Sequence, residues 1–357
     1  MPLPFPKSKK PTQIIAVDLG SRITKAVLCE SRGGRFYLNG YALLDTPEHD
    51  SATFPATSLG EHLKEITKRL NTRTKTVALA IGSGESFVRH VEIPSMPSDA
   101  IRPVLKNNTR TYFQSHLPSH VFDYQVIYQA VPVGISEQKK KGSQTVSQQR
   151  LVVGGAKEQC VNDLAAMGKA AGLSVPHIIP SVVCPINAFE LAHPEEFKSQ
   201  VVALVEIGFK HSTICILQLG ELALNRVIPI GGNRMTAAIV EDLNISYAEA
   251  EGIKVGMPHE VHGTLKTVVS NLSRELRASI DYFENQQAHL VSRVYVSGGP
   301  ARSESIVELL SDDLMMDCVT WNPTSFCDLT LPSPQCSEIT AVSHQLGVAI
   351  GAAIAAL

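Results

Sequence analysis

Asp18, Gly20, Ser21 and Lys25 fall within one short stretch of the chain. A carboxylate, a glycine, a hydroxyl and an ammonium at this spacing are the groups that hold a polyphosphate and its metal. Glycine lets the backbone approach, bare N–H groups and the hydroxyl cradle oxygens, the ammonium offsets charge, and the carboxylate faces Mg2+ directly or through water. The layout returns downstream. Aligning Glu206 with Asp18 puts Gly208 on Gly20 and Thr213 on Lys25. Taken singly, each hairpin also fits an ordinary buried turn with an acid at a strand end; the repetition favours two similar domains facing one another across a cleft.

Three further stretches carry groups of the same kind. Gly231, Gly232 and Asn233 stand where a strand runs into a helix start, and helix N-termini attract phosphate. Glu251 and Lys254, three apart on one helix face, suit ribose hydroxyls and a base edge, or else form a solvated ion pair. Gly298, Gly299 and Pro300 follow another strand, where glycines would let a flat adenine lie against the backbone. Gly82-Ser83-Gly84 reads as a plain turn.

The elements that must position these groups follow from hydrophobic periodicity. Residues 14–28 form a strand, a glycine turn and a second strand, with a third strand over 36–44. A surface helix follows over 61–70 and a strand over 76–81. Residues 87–175 read as a separate α/β unit: a strand at 88–93, a helix capped at Ser98-Asp99, strands at 121–131 and 151–153, and an amphipathic helix over 158–171 stopped by Gly172. Its polar stretch 137–150, with three consecutive lysines, reads as a disordered hairpin loop, either a solvated tip or a binding patch. The apolar stripe Leu265, Val268, Leu272, Leu276, Ile280, Phe283 marks a long core helix, and residues 339–357 a small-residue helix suited to the domain junction.

With 357 residues, 44% hydrophobic and 18% charged, the expectation is a soluble α/β protein of two domains. A net charge of -2 gives no nucleic-acid footprint. Seven cysteines without C-x-x-C spacing read as reduced thiols, which points to a cytoplasmic compartment. The short basic, proline-rich start excludes a signal peptide, and no stretch is long and apolar enough for a membrane helix. P-loop, nucleophile-elbow, metalloprotease and zinc patterns are absent; His259-Glu260-Val261-His262 has the wrong spacing for the third of these.

With its duplicated acidic hairpin and three glycine turns, the chain resembles the actin-like ATPase superfamily, which includes actin, heat-shock chaperones, sugar kinases and the cell-division protein FtsA. Asp18-x-Gly20-Ser21-x-x-x-Lys25 resembles its first phosphate motif, Glu206-x-Gly208 its second, and Ser297-Gly298-Gly299 its adenosine motif. Within it, Phe122-Asp123-Tyr124-Gln125-Val126, the stretches 151–158, 230–236 and 250–254, and Ser273-Arg274-Glu275-Leu276-Arg277 are similar to the PilM family of type IV pilus machinery. The resemblance implies an actin-like (ribonuclease H-like) fold of two duplicated lobes with a nucleotide cleft and a small inserted α/β subdomain. Its boundaries would be a disordered basic tail over 1–12, the first lobe over 13–86, the insert over 87–177, and a return to the first lobe with an interdomain helix over 178–200. The second lobe would cover 201–338 and a C-terminal interdomain helix 339–357.

The same resemblance implies ATP and Mg2+ in the cleft. Asp18 and Glu206 would serve the metal, Gly20, Ser21, Lys25 and Gly208 the phosphates, and Gly231, Gly232 and Asn233 the nucleotide's far side. Glu251 and Lys254 would serve the ribose, and Gly298, Gly299 and Pro300 the adenine. It also implies a PilN-like inner-membrane partner whose cytoplasmic N-terminal peptide lies in a groove, further contacts to other pilus platform proteins and the assembly ATPase, and only an indirect, peripheral link to the inner membrane. In the superfamily the second phosphate motif carries Asp; Glu206 shifts the carboxylate by roughly 1.5 Å, one C–C bond, which disturbs water-mediated metal geometry. Turnover is therefore expected to be slow or absent, with nucleotide acting as a conformational ligand. Two other functions fit the superfamily. An FtsA-like membrane tether calls for an amphipathic helix after the last domain helix, not found before Leu357; a small-molecule kinase calls for a base that no residue supplies.

Overall fold

A computed structural model describes residues 11–47, 56–129 and 148–357. In chain order its elements are β1 (Gln13–Leu19), β2 (Ile23–Arg32), β3 (Arg35–Asp45), α1 (Ala56–Arg69), β4 (Thr76–Ile81), β5 (Ser86–Pro94), α2 (Ser98–Asn107), α3 (Thr109–Phe113), β6 (His120–Gln129) and β7 (Gln148–Lys157). Next come α4 (Glu158–Ala170), β8 (Ser174–Pro180), α5 (Cys184–Ala192), α6 (Pro194–Ser199), β9 (Val201–Ile207), β10 (Ser212–Gln218), β11 (Glu221–Ile228), α7 (Gly232–Leu243) and α8 (Tyr247–Gly256). The chain closes with α9 (His262–Gln287), β12 (Arg293–Ser297), α10 (Glu304–Leu314), β13 (Cys318–Thr320), β14 (Asp328–Leu329), α11 (Ser333–Val342) and α12 (Gly347–Ala356). Most of the basic tail and of the polar stretch 137–150 lies outside the described residues; 148–150 already belong to β7.

Two sheets share one plan. The first runs β14-β3-β2-β1-β4-β8 and the second β11-β10-β9-β12-β13. In each, an antiparallel three-strand meander is extended by two strands parallel to its first strand. The duplication visible in two hairpins therefore extends over two whole sheets, as an actin-like fold requires. The central strands are buried on both faces and read as near-continuous apolar runs, β1 from Ile14 to Val17 and β9 from Val202 to Val205. β5-β7-β6 form a third, antiparallel sheet covered by α2 and α3.

Several local expectations are corrected. The stretch 158–177 belongs to the first lobe's sheet and core rather than the insert: Leu164 and Met167 of α4 pack with Leu59, Leu63 and Ile66 of α1, and β8 pairs with β4. An amphipathic helix carries no mark of which sheet it will cover. α2 starts at Ser98 without a side-chain cap bond, Pro97 preceding it. The stripe on α9 runs through Val269, with Val268 only partly buried. The expected helix over 339–357 is broken: α11 and α12 meet at 90° across a tight turn, Ser343–Gln345.

α12 stands where the two sheets share a core. Its alanines 349, 352 and 353 are fully buried, in one core with Ile14 and Ala16 of the first sheet and Leu204 and Leu217 of the second. Among the described residues no single helix is long and apolar enough to cross a membrane; α11 and α12 pass together on composition alone, and α12 is enclosed by protein.

Candidate functional site

The two hairpins place their polar groups by strand register. Asp18 pairs with Lys25 across β1 and β2, and Glu206 pairs with Thr213 across β9 and β10. Lys25 Nζ donates to Asp18 Oδ2 at 3.0 Å. Burial alone would lower the Lys25 pKa, but the Asp18 charge and hydrogen bond outweigh it and raise the value. In the second lobe no cation answers the acid at this register. There β12 brings Ser297 beside Glu206, and its hydroxyl donates to Glu206 Oε2; the residue beside Asp18 on β4 is Ala80.

Burial pushes the Glu206 carboxyl up to about 7, with the Ser297 hydrogen bond and Lys25 opposing. The native protein thus holds a proton on Glu206 between about pH 4.5 and 7, where the unfolded chain has released it. That contribution to stability is complete below the window and lost as pH rises through it, by at most about 3 kcal/mol. Thermal midpoints in metal-free buffer should therefore show the wild type losing stability relative to Glu206→Gln between pH 5 and 7.5. Parallel curves would refute the raised value.

Between the lobes lies a cavity of about 1150 Å³. It is lined by Asp18, Gly20, Ser21, Lys25, Glu206, Gly208, Gly232, Glu251, Lys254, Gly299 and Pro300, eleven of the fourteen residues singled out in the sequence. Gly231, Asn233 and Gly298 stand behind the wall and shape it. A Cβ on Gly231 would meet the carbonyl oxygens of Phe209 and Gly208 at 2.5 and 2.7 Å. Gly298 adopts φ +97°, and a side chain there would run into the backbone of Ile207. Asn233 Oδ1 accepts the Tyr247 hydroxyl at 2.9 Å. The three glycine corners are thereby knit together, with Gly232 N–H donating to Gly208 O at 2.9 Å.

Glu251 and Lys254 are not a solvated surface pair. Lys254 is 3% exposed, and its Nζ donates to Glu251 Oε2 at 2.8 Å and to Thr236 Oγ1 at 2.7 Å. Burial lowers the Lys254 pKa against the pull of Glu251. Burial would raise the Glu251 carboxyl, but Lys254, Thr236 and Arg22 together bring it below its ordinary value. A capping box at Ser246 and Glu249 fixes the start of the helix that carries the pair.

The cleft also contains residues the motif reading missed: Arg22, Glu85, Lys157, Lys210, His211 and Arg302. Arg22 and Lys210 had a readable signal, since each stands two residues after its hairpin glycine, Gly20 and Gly208. In all, six basic and four acidic side chains line the cavity, a balance that favours a polyphosphate. Among the described residues no group of three or more His, Cys, Asp or Glu could hold a metal by itself. Asp18 and Glu206 could supply two carboxylate ligands to a Mg2+ that took its other ligands from a bound phosphate and water.

Comparison with known proteins agrees with this architecture. Over 97% of the chain and 99% of the other, the fold is similar to a structure described as a PilM-PilN type IV pilus biogenesis complex, with a TM-score of 0.81 and 19% identity. It is similar to MreB 5 of Spiroplasma citri bound to AMPPNP at a TM-score of 0.51 and 13% identity, over 96% and 95% of the two chains. The cell division protein FtsA of Bacillus subtilis (strain 168) is 27% identical over 173 residues, 46% of this chain and 36% of that protein. The chain thus spans about a third of the length of that curated relative. A single match to the model for type IV pilus assembly protein PilM, residues 16–356, takes in all but the first three residues of the duplicated sheets together with the insert and the interlobe cleft, and the chain belongs to that family.

Proposed function

We propose that this protein is an ATP-binding actin-like scaffold of the type IV pilus assembly platform, which binds the cytoplasmic N-terminal tail of a PilN-like inner-membrane protein. The observation that carries the reading is the cavity itself. Two equivalent glycine corners meet there, with Asp18, Lys25 and Glu206 on one side and the buried Glu251–Lys254 pair on the other. Asp18, Gly20, Ser21, Lys25 and Gly208 hold the phosphates. Glu251 and Lys254 hold the ribose, Gly299 and Pro300 border the adenine, and Gly231, Asn233 and Gly298 keep the corners in place.

Mg2+, when bound, would offset phosphate charge, and Asp18 and Glu206 would be the carboxylates that hold it. Glu206 is one methylene longer than the Asp of the superfamily motif and is engaged by Ser297, which disturbs its approach to a metal. Turnover is accordingly slow at most, and ATP acts by setting the relation of the two lobes. Support for the partner comes from family membership and from the complex named above; location at the inner membrane is through that partner.

Calorimetry with a synthetic N-terminal peptide of the PilN-like protein from the same genome, with and without Mg2+ and ATP, tests the reading. Saturable binding that responds to nucleotide is expected. Absence of binding in both conditions would reject the scaffold role.

A further inference from the structure

Arg22 leaves the first hairpin turn and reaches the second lobe. Its guanidinium carbon lies 5.3 Å from the ring centre of Phe209 and 5.0 Å from that of Tyr247. Phe209 belongs to the second hairpin turn and Tyr247 opens α8. Arg22 Nη1 stands 3.6 Å from Glu251 Oε2, yet it is buried and has no hydrogen-bond partner. Two aromatic faces and a carboxylate thus grip one cation from across the cleft.

The turn that carries Arg22 is held firmly in its own lobe. Thr46 N–H donates to Arg22 O at 2.8 Å, and Thr46 Oγ1 donates to Gly20 O at 2.6 Å. Having spent its proton on Gly20, Thr46 accepts from Thr24 Oγ1 at 2.9 Å, and Thr24 in turn accepts from His62 Nε2 at 2.9 Å. Burial keeps His62 neutral by lowering its pKa, in agreement with a single Nε2–H donor. A turn fixed at both carbonyls transmits a pull on its side chain instead of absorbing it.

We propose that Arg22 is a positioning residue that clasps the lobes, tying the phosphate turn of the first to the ribose side of the second. The 3.6 Å separation exceeds a charge-assisted hydrogen bond by roughly 0.8 Å. A small further approach of the lobes therefore completes the Arg22–Glu251 bond and satisfies the orphaned donor. The clasp acts on nucleotide by holding Glu251 and Gly20 at a set distance across the cleft. This role in binding rests on the nucleotide reading above; the clasp between lobes does not.

The test uses full-length wild type, Arg22→Ala, Arg22→Lys, Phe209→Leu and the Ala/Leu double variant, each checked for folding by circular dichroism. Amide hydrogen exchange is followed first without nucleotide. The clasp requires that Arg22→Ala speeds exchange in the second-lobe turn, residues 207–212, and that Phe209→Leu speeds it in residues 19–23. Exchange that rises only in the turn bearing the substitution overturns the proposal, whether or not the protein binds ATP.

Calorimetry with Mg2+ and ATP then reads positioning. Arg22→Ala should weaken binding about tenfold, and the double variant little further. Lysine keeps the charge but cannot lie flat between two rings, so Arg22→Lys should recover only a small part. Full recovery by lysine, or additive losses in the double variant, overturns the positioning role. Absence of ATP binding by the wild type, with the exchange pattern intact, rejects the nucleotide reading and leaves the clasp standing.

Discussion

Gly351→Ala should lower the thermal midpoint by on the order of 10 °C, although it adds only one methyl group to an alanine-rich helix. A Cβ at position 351 would overlap the carbonyl oxygen of Cys184, with Cys184 Cα itself 2.8 Å away. These are backbone atoms of α5, so no rotamer change relieves the overlap. α5 is also tied at this point, since Asn187 Nδ2 donates to Gly351 O at 3.2 Å. Relief demands that α5 and α12 separate, and both helices lie in the core shared by the two sheets. Overpacking commonly costs 1–3 kcal/mol, and a main-chain overlap at a domain junction lies beyond that range, about 4 kcal/mol or more. At that size the thermal midpoint falls by on the order of 10 °C. Gly347→Ala is the control: on the same helix, its Cβ would find nothing nearer than 3.9 Å. It should be neutral or slightly stabilising through helix propensity. Equal midpoints for the two variants would show that the helix contact is slack.

What could be read in the chain, and what could not, divides along physical lines. The hairpins at Asp18 and Glu206 were legible because β1 and β9 are buried on both faces, so their apolar runs stop only where the polar corner begins. The alignment of Thr213 with Lys25 is matched by strand register in both lobes. The contact of Ser297 with Glu206 was not legible, because a parallel neighbour 91 residues away supplies the hydroxyl and no local pattern encodes that partner. For the same reason α4 was expected with the insert: its amphipathic stripe shows that it covers a sheet and says nothing of which one. The break between α11 and α12 falls on the polar triplet Ser343-His344-Gln345 before Gly347; three polar residues fit one exposed turn of a continuous helix as well as a break, and no proline decides between them. Arg22 was passed over because a basic residue in a turn is most often solvated; the two rings that hold it come from the other lobe.

Asp18→Ala should abolish the thermal stabilisation by Mg2+ and ATP, and should also destabilise the protein without any ligand. The two effects have different origins and can be separated. Asp18 is 8% exposed and is the hydrogen-bonded counter-charge of the partly buried Lys25; without it the ammonium is left unpaired near Glu206. Breaking one side of a buried ion pair typically costs 3–5 kcal/mol, while replacing both members by apolar groups is often close to neutral. Asp18→Ala combined with Lys25→Met should therefore recover most of the ligand-free midpoint that Asp18→Ala alone loses. On the proposed reading the double variant still lacks both the carboxylate for the metal and the cation for the phosphates, so its midpoint should not respond to Mg2+ and ATP. Lys25→Met alone should lose stability as well, since it leaves Asp18 buried beside Glu206 with no cation between them. Scanning fluorimetry of the four proteins, with and without ligand, reads both quantities at once. If the double variant regained the ATP response along with its stability, Asp18 and Lys25 would be a structural pair, and the phosphate site would have to lie elsewhere in the cleft, among Arg22, Lys210 and the Gly232 corner.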